Sequence, residues 1–251
     1  MSWVHFQRVF ALAMLVSACG EPVSDPQNNS DLEIVGAWVT PWGVENITDE
    51  NWNNAEIVSF DNASNTVITK MAADADAPET FSKLIWTELN GERFHYCTVA
   101  YGLDSLDAAE NAEDISDPND LDGAGCGGFP WTLMRLPLSI KGTYVSEFGA
   151  ETITEMEWDN GFTKNQIKDW NEDDQWVIVQ VPPTAEYNPN TFSTIFWINY
   201  IEGESRGVYY CTHAFALETL GEAQAVDSQP DSSNPEEGGC SDFPWTKLAL
   251  Q

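Results

Sequence analysis

Ile34-Val-Gly36-Ala-Trp38-Val-Thr40 returns 106 positions later as Ile140-Lys-Gly142-Thr-Tyr144-Val-Ser146. The same order of uncommon residues then runs through both halves of the chain. Trp42-Gly43 is matched by Phe148-Gly149, Ile47-Thr48 by Ile153-Thr154, and Trp52-Asn-Asn54 by Trp158-Asp-Asn160. Phe81-Ser-Lys-Leu-Ile-Trp86 is matched by Phe192-Ser-Thr-Ile-Phe-Trp197, and Tyr96-Cys97-Thr98 by Tyr210-Cys211-Thr212. Cys126 with Phe129-Pro-Trp131-Thr132 returns as Cys240 with Phe243-Pro-Trp245-Thr246. The offset grows from 106 (34 to 140) to 114 (97 to 211), which places the insertions in loops. Self-similarity of this kind means one structural unit built twice. The units are residues 34–136 and 137–251, with almost no linker between them, so the two copies abut.

The repeat also pairs the cysteines. Four of the five lie inside it, and four cysteines allow three pairings. Both copies hold their two at the same separation of 29 positions (97 to 126 and 211 to 240). Cys97 with Cys126 and Cys211 with Cys240 is the pairing that lets each copy fold alone. A metal site is a poor rival, because no further Cys stands near either pair at ligand spacing and the nearby His95 and His213 fall at non-equivalent places in the repeat.

Within one copy the signals are those of β-structure. A first strand is expected at 36–40, and a hairpin at 57–69 turning on Asp61-Asn-Ala-Ser-Asn65. The second copy repeats that hairpin, with Trp170, a turn at 171–174 and a strand over 175–181. Residues 81–89 and 192–201 are apolar on both alternating faces, as a doubly covered strand should be. Asn90-Gly91 and Glu202-Gly203 turn them into the cysteine-bearing strands 94–101 and 208–213. Between the cysteines, 105–113 and 217–225 predict short helices ahead of acidic loops, and Phe-Pro-Trp-Thr predicts a closing strand. Six or seven strands per copy point to a mainly β protein: two tandem antiparallel β-barrel or sandwich domains, each with a short helix inside a disulfide loop.

The chain carries 41 acidic and 10 basic residues, a formal charge of −31. That excludes nucleic acid as a partner, since phosphates need clustered Lys and Arg, and it disfavours docking of the folded part on an anionic lipid surface. The acidity is read as a solvated surface, with calcium binding or a basic partner as alternatives.

The first 18 residues read as an export signal rather than as fold. Arg8 precedes an apolar run, residues 9–16, that is too short to span a bilayer. Ser17-Ala18-Cys19 after that run resembles the bacterial lipobox. The resemblance implies cleavage before Cys19, acylation of its thiol and new amino group (palmitate among the chains), and anchoring to the outer membrane, because Gly20 replaces the Asp of inner-membrane retention. Lipidation would also account for the odd cysteine, and residues 19–33 are then the lipidated Cys with a flexible tether. An oxidising compartment would suit the disulfides. Gly36-Ala-Trp38 resembles the G-x-W of lipocalin-like barrels. The repeat as a whole resembles secreted proteins and lipoproteins of myxobacteria, which implies no particular activity.

Candidate chemistry is sparse. Gly203-Glu-Ser205-Arg-Gly207 fits G-x-S-x-G, yet it lies in a strand-to-strand turn rather than a nucleophile elbow. After the signal only His95 and His213 remain, and they fall at non-equivalent places in the repeat. Asp117, Asp120 and Asp122 are the calcium candidates, although their spacing is not that of an EF-hand. Trp42, Trp170 and Trp176 have no Trp counterpart in the other copy, so they are the tryptophans expected to be exposed for stacking on a ligand. The leading expectation is a non-catalytic surface lipoprotein that binds an extracellular or periplasmic ligand and needs no cofactor. A secreted hydrolase using carboxylates and a calcium-dependent adhesion module are the alternatives.

Overall fold

The computed structural model describes residues 31–251. The export signal, Cys19 and most of the tether lie outside the described residues. The rest forms two closed eight-stranded antiparallel barrels. The first comprises β1 (Gly36–Thr40), β2 (Gly43–Ile47), β3 (Asn51–Trp52), β4 (Ala55–Asp61), β5 (Thr66–Lys70), β6 (Phe81–Trp86), β7 (Arg93–Leu103) and β8 (Thr132–Arg135), with α1 (Leu106–Glu110) following β7. The second comprises β9 (Gly142–Ser146), β10 (Gly149–Ile153), β11 (Glu157–Asp159), β12 (Lys164–Asn171), β13 (Trp176–Gln180), β14 (Phe192–Glu202), β15 (Ser205–Leu217) and β18 (Thr246–Leu250). Helix α2 (Leu220–Gln224) and a small ribbon, β16 (Gly239–Cys240) with β17 (Phe243–Pro244), lie between β15 and β18.

Each barrel is an up-and-down meander in which every strand pairs with its sequence neighbour and the last pairs with the first, Val39 facing Arg135 and Ala249 facing Val145. Closure leaves no sheet edge unpaired. The register shift between Ile57 and Ser59 recurs between Ile167 and Asp169, so the same bulge bends the same strand in both copies.

One end of each barrel is plugged by the segment entering it. Leu32 and Ile34 are buried in the first barrel, and Leu138 and Ile140 occupy the same places in the second. This corrects the tether boundary: the ordered unit takes in Leu32, because an apolar side chain two residues before Ile34 fills the barrel floor rather than facing water. The Gly-x-Trp and Gly-x-Tyr pairs belong to this plug. Trp38 Nε1 donates to the Ile34 carbonyl at 2.8 Å, and the Tyr144 hydroxyl donates to the Ile140 carbonyl at 2.9 Å. Glycine precedes each by two because the ring folds back over it; a Cβ on Gly36 would stand 3.3 Å from the Trp38 indole nitrogen.

The disulfides are Cys97–Cys126 and Cys211–Cys240. Each ties the helix-bearing loop to the outer face of its barrel, where Cys97 packs with Ile85 and Trp131, and Cys211 with Phe196 and Trp245. Trp131 Nε1 donates to the Asp117 carbonyl and Trp245 Nε1 to the Asp231 carbonyl, both at 3.1 Å. The predicted closing strand therefore starts only at the last residue of the Phe-Pro-Trp-Thr segment, at Thr132 and Thr246, and its Trp packs under the loop instead. Ser105 and Thr219 cap α1 and α2 by accepting from the amides of Ala108 and Glu222.

The barrels are joined near their plugged ends. Asp169 Oδ1 accepts from Arg135 Nη1 at 3.1 Å and lies 3.5 Å from Arg93 Nη1. Arg93 Nη2 donates to the Trp170 carbonyl at 2.7 Å, the Arg135 guanidinium stacks 3.9 Å over the Trp170 ring, and Trp170 Nε1 donates to the Leu136 carbonyl. Nearby, Glu92 accepts from the Glu172 amide at 2.7 Å, and burial pushes its carboxyl up from the ordinary range.

Candidate functional site

Strand alternation puts every second residue inside a barrel. In the first barrel the inward positions toward the plug are apolar: Trp38, Ile47, Val67, Leu84, Trp86, Phe94 and Met134 form one buried cluster. Toward the opposite, open end they turn polar. Glu45 on β2 lies two positions from Ile47 and so shares its face. Trp52 Nε1 donates to Glu45 Oε2 at 2.5 Å, and the Tyr96 hydroxyl donates to Glu45 Oε1 at 3.0 Å. The Trp52 and Tyr96 rings meet edge to face at 5.0 Å.

The second barrel repeats the group with Glu151, Trp158 and Tyr210. Trp158 Nε1 donates to Glu151 Oε2 at 2.8 Å, and the Tyr210 hydroxyl donates to Oε1 at 3.4 Å. Ser146 Oγ adds a third donor at 3.3 Å. Burial, and then the neighbouring carboxylate, push both tyrosine hydroxyls above their usual titration range, so each stays a donor.

Above each group the barrel is hollow. A cavity of about 350 Å³ in the first barrel is lined by Glu45, Trp52, Ala55, Ser82, Tyr96 and Thr98, among others. Its counterpart in the second, about 210 Å³, is lined by Trp158, Asn165, Ser193, Tyr210 and Thr212. Much of the two linings corresponds: Trp52, Ser82, Tyr96 and Thr98 stand where the second barrel has Trp158, Ser193, Tyr210 and Thr212, and the strand register pairs Trp52 with Ala55 and Trp158 with Asn165. That pair also marks the difference: the bulkier Asn165 stands where the first barrel has Ala55. Accordingly Glu151 is 2 % exposed and does not line its cavity, whereas Glu45 does. Trp42 and Phe148, at equivalent hairpin tips, are 86 % and 59 % exposed. Tyr101 and Phe215, equivalent on β7 and β15, are exposed as well. Eight strands enclose room for one small ligand, and these mouths have the aromatic and polar lining such sites use.

Two carboxylates flanking a scissile bond are the usual requirement of a glycosidase; Glu45 is the one carboxylate in the first lining, and none lines the second. His213 Nε2 lies 2.9 Å from Ser228 Oγ, yet its Nδ1 has no partner to orient the ring. Burial lowers the pKa of His95. Ser205 opens β15 opposite Glu202, as a hairpin residue.

The residues expected from sequence fall out differently from one another. Trp42 is exposed. Trp170 is 2 % exposed and builds the inter-barrel joint, so the stacking role expected for it is corrected; its counterpart is Phe60, an aromatic position in both copies. Trp176 is half-buried against the Phe196–Trp245 cluster. Asp117, Asp120 and Asp122 are not brought together: among the described residues no group of three or more His, Cys, Asp or Glu is placed to hold a metal. Asp117 Oδ1 accepts from the Asn119 amide, Asp231 does the same for Ser233, and Asp120 Oδ2 accepts from the Ala124 amide. The backbone donors at Asn119 and Ser233 hold the carboxyls of Asp117 and Asp231 below their usual range. The acids shape their own loop.

Sequence reasoning missed Glu45 and Glu151, although the signal was present. Both precede a repeated core isoleucine by two residues, which puts an acid on an inward face twice. Comparison of the chain with protein-family models, with curated proteins and with solved structures finds no match.

Proposed function

We propose that this chain is a non-catalytic binding protein of the cell envelope, held to the outer membrane by lipid on Cys19, whose two barrels each take a small ligand at the open end. The observation that carries the reading is the pair of cavities at equivalent positions over the same Glu-Trp-Tyr group. The joint between the barrels is built toward their plugged ends, so it leaves both mouths accessible. The anchor rests on the lipobox resemblance at 16–19.

A thermal-shift screen of small polar and aromatic compounds tests the reading. At about 100 times its Kd a ligand stabilises by about 2.7 kcal/mol, or roughly 5–10 °C for a chain of this size. Thr98→Trp and Thr212→Trp, at exposed mouth positions, should each remove the shift caused by ligands of their own barrel. Shifts that survive both substitutions would place binding elsewhere. Turnover of a substrate, abolished by a single carboxylate change, would replace binding with hydrolysis. For the anchor, Cys19→Ser should abolish palmitate labelling and release the chain from the membrane fraction; unchanged labelling would sink that part.

A further inference from the structure

We infer that the mouth of the first barrel selects a small organic cation bearing an ammonium group, and that the mouth of the second does not. This rests on the reading that the mouths bind ligands and goes on to name the ligand class and the barrel.

Glu45 is a carboxylate at a cavity wall whose two described partners are neutral donors, the Trp52 indole and the Tyr96 hydroxyl. No Lys, Arg or His lines the cavity. A partly desolvated charge with no countercharge is costly, and an ammonium group supplies the countercharge together with the N–H donors that carboxylate lone pairs accept. The rings of Trp52, Tyr96 and Tyr101 share the lining, and their electron-rich faces attract a cation. A second observation points to a ligand independently. Ser82 Oγ is buried and has no hydrogen-bond partner, and Ser82 lines this same cavity. A buried hydroxyl without a partner is rare in a folded protein, and a polar ligand would satisfy it.

The second barrel keeps the Glu-Trp-Tyr group and a mouth, but its carboxylate is withdrawn from the lining. Asn165 occupies the place of Ala55, Ser146 caps the carboxylate, and Glu151 no longer reaches the cavity surface. Its charge is spent on internal donors. The duplicated barrels have therefore diverged, one toward a cation and one toward a neutral ligand.

Calorimetric titration of the full chain with benzylamine and with its neutral relative benzyl alcohol decides the matter. The expected result is one equivalent of benzylamine, bound about ten-fold more tightly than the alcohol, the size of one charge-assisted hydrogen bond. Glu45→Gln should erase that preference, and Glu151→Gln should leave it intact. Equal affinity for amine and alcohol, with both lost in Thr98→Trp, would overturn the cation inference and leave the binding reading standing. Two equivalents of amine, or a preference lost in Glu151→Gln and kept in Glu45→Gln, would overturn the assignment to the first barrel. No heat from benzylamine at millimolar concentration would overturn it outright. The amine–alcohol comparison on the unaltered chain remains decisive even where the Glu45→Gln chain fails to fold.

Discussion

Asp169→Ala is expected to destabilise the protein by about 3–5 kcal/mol, the usual cost of removing one partner from a buried charge cluster. Asp169 sits 7 % exposed between Arg135 and Arg93, whose side chains are 14 % and 28 % exposed. It also accepts from the Trp170 amide and from Gln224 Nε2. Alanine removes the acceptor and strands two guanidinium groups that the fold has already desolvated. For a chain of this size the melting temperature should fall by roughly 6–20 °C. Because Asp169, Trp170 and the two arginines form the joint, the variant should also melt in two steps as the barrels uncouple. Lys164→Ala is the contrasting control: its ion pairs with Glu157 and Asp159 are solvent-exposed, and no measurable change is expected. A melting curve for Asp169→Ala that overlays the unaltered protein would mean the joint contributes nothing.

Replacing either disulfide by serines, Cys97→Ser with Cys126→Ser or Cys211→Ser with Cys240→Ser, should cost about 3.5 kcal/mol, the chain-entropy value for a loop of this length. Both bridges close loops of the same separation, 29 residues, so the two double variants should lose nearly the same amount. The effect should spread to the loop. Trp131 and Trp245 are held against Cys97 and Cys211, and their indole N–H groups pin the loop at Asp117 and Asp231. Denaturant midpoints and the loss of amide protection around 117–125 and 231–239 would measure both consequences. An unchanged midpoint in either double variant would contradict the account.

Much of this architecture was legible because the chain states it twice. The repeat predicted two units, the equal cysteine spacing predicted the two bridges, and Ser105 and Thr219 stand where helix caps should. The hairpins at Asn90-Gly91 and Glu202-Gly203 were readable from their turn residues. Strand number was undercounted, because β3 and β11 have two and three residues, too few to show an alternation. Whether the sheet closes into a barrel depends on pairing between β1 and β8, about a hundred residues apart, which no local pattern encodes. The joint was invisible for a related reason. Arg93 and Arg135 align with Gly207 and Ala249, so the repeat itself hid the residues that differ because they face the other barrel. Trp170 was misplaced on the same ground, its lack of a Trp counterpart marking a contact between copies rather than a free surface. Glu45 and Glu151 were lost among 41 acids, where composition gives no reason to favour any one.

That the open mouths bind ligand is the central claim, and the tryptophans report on it from inside. Each has an indole N–H resonance, and they are distributed by role: Trp52 and Trp158 stand at the mouths, Trp38 and Trp86 near the plug of the first barrel, and Trp170 in the joint. Nuclear magnetic resonance during titration with any compound that raises the melting temperature should move the Trp52 or the Trp158 signal and leave those of Trp38, Trp86 and Trp170 in place. Shifts confined to Trp38, Trp86 or Trp170, with both mouth signals unmoved, would contradict it.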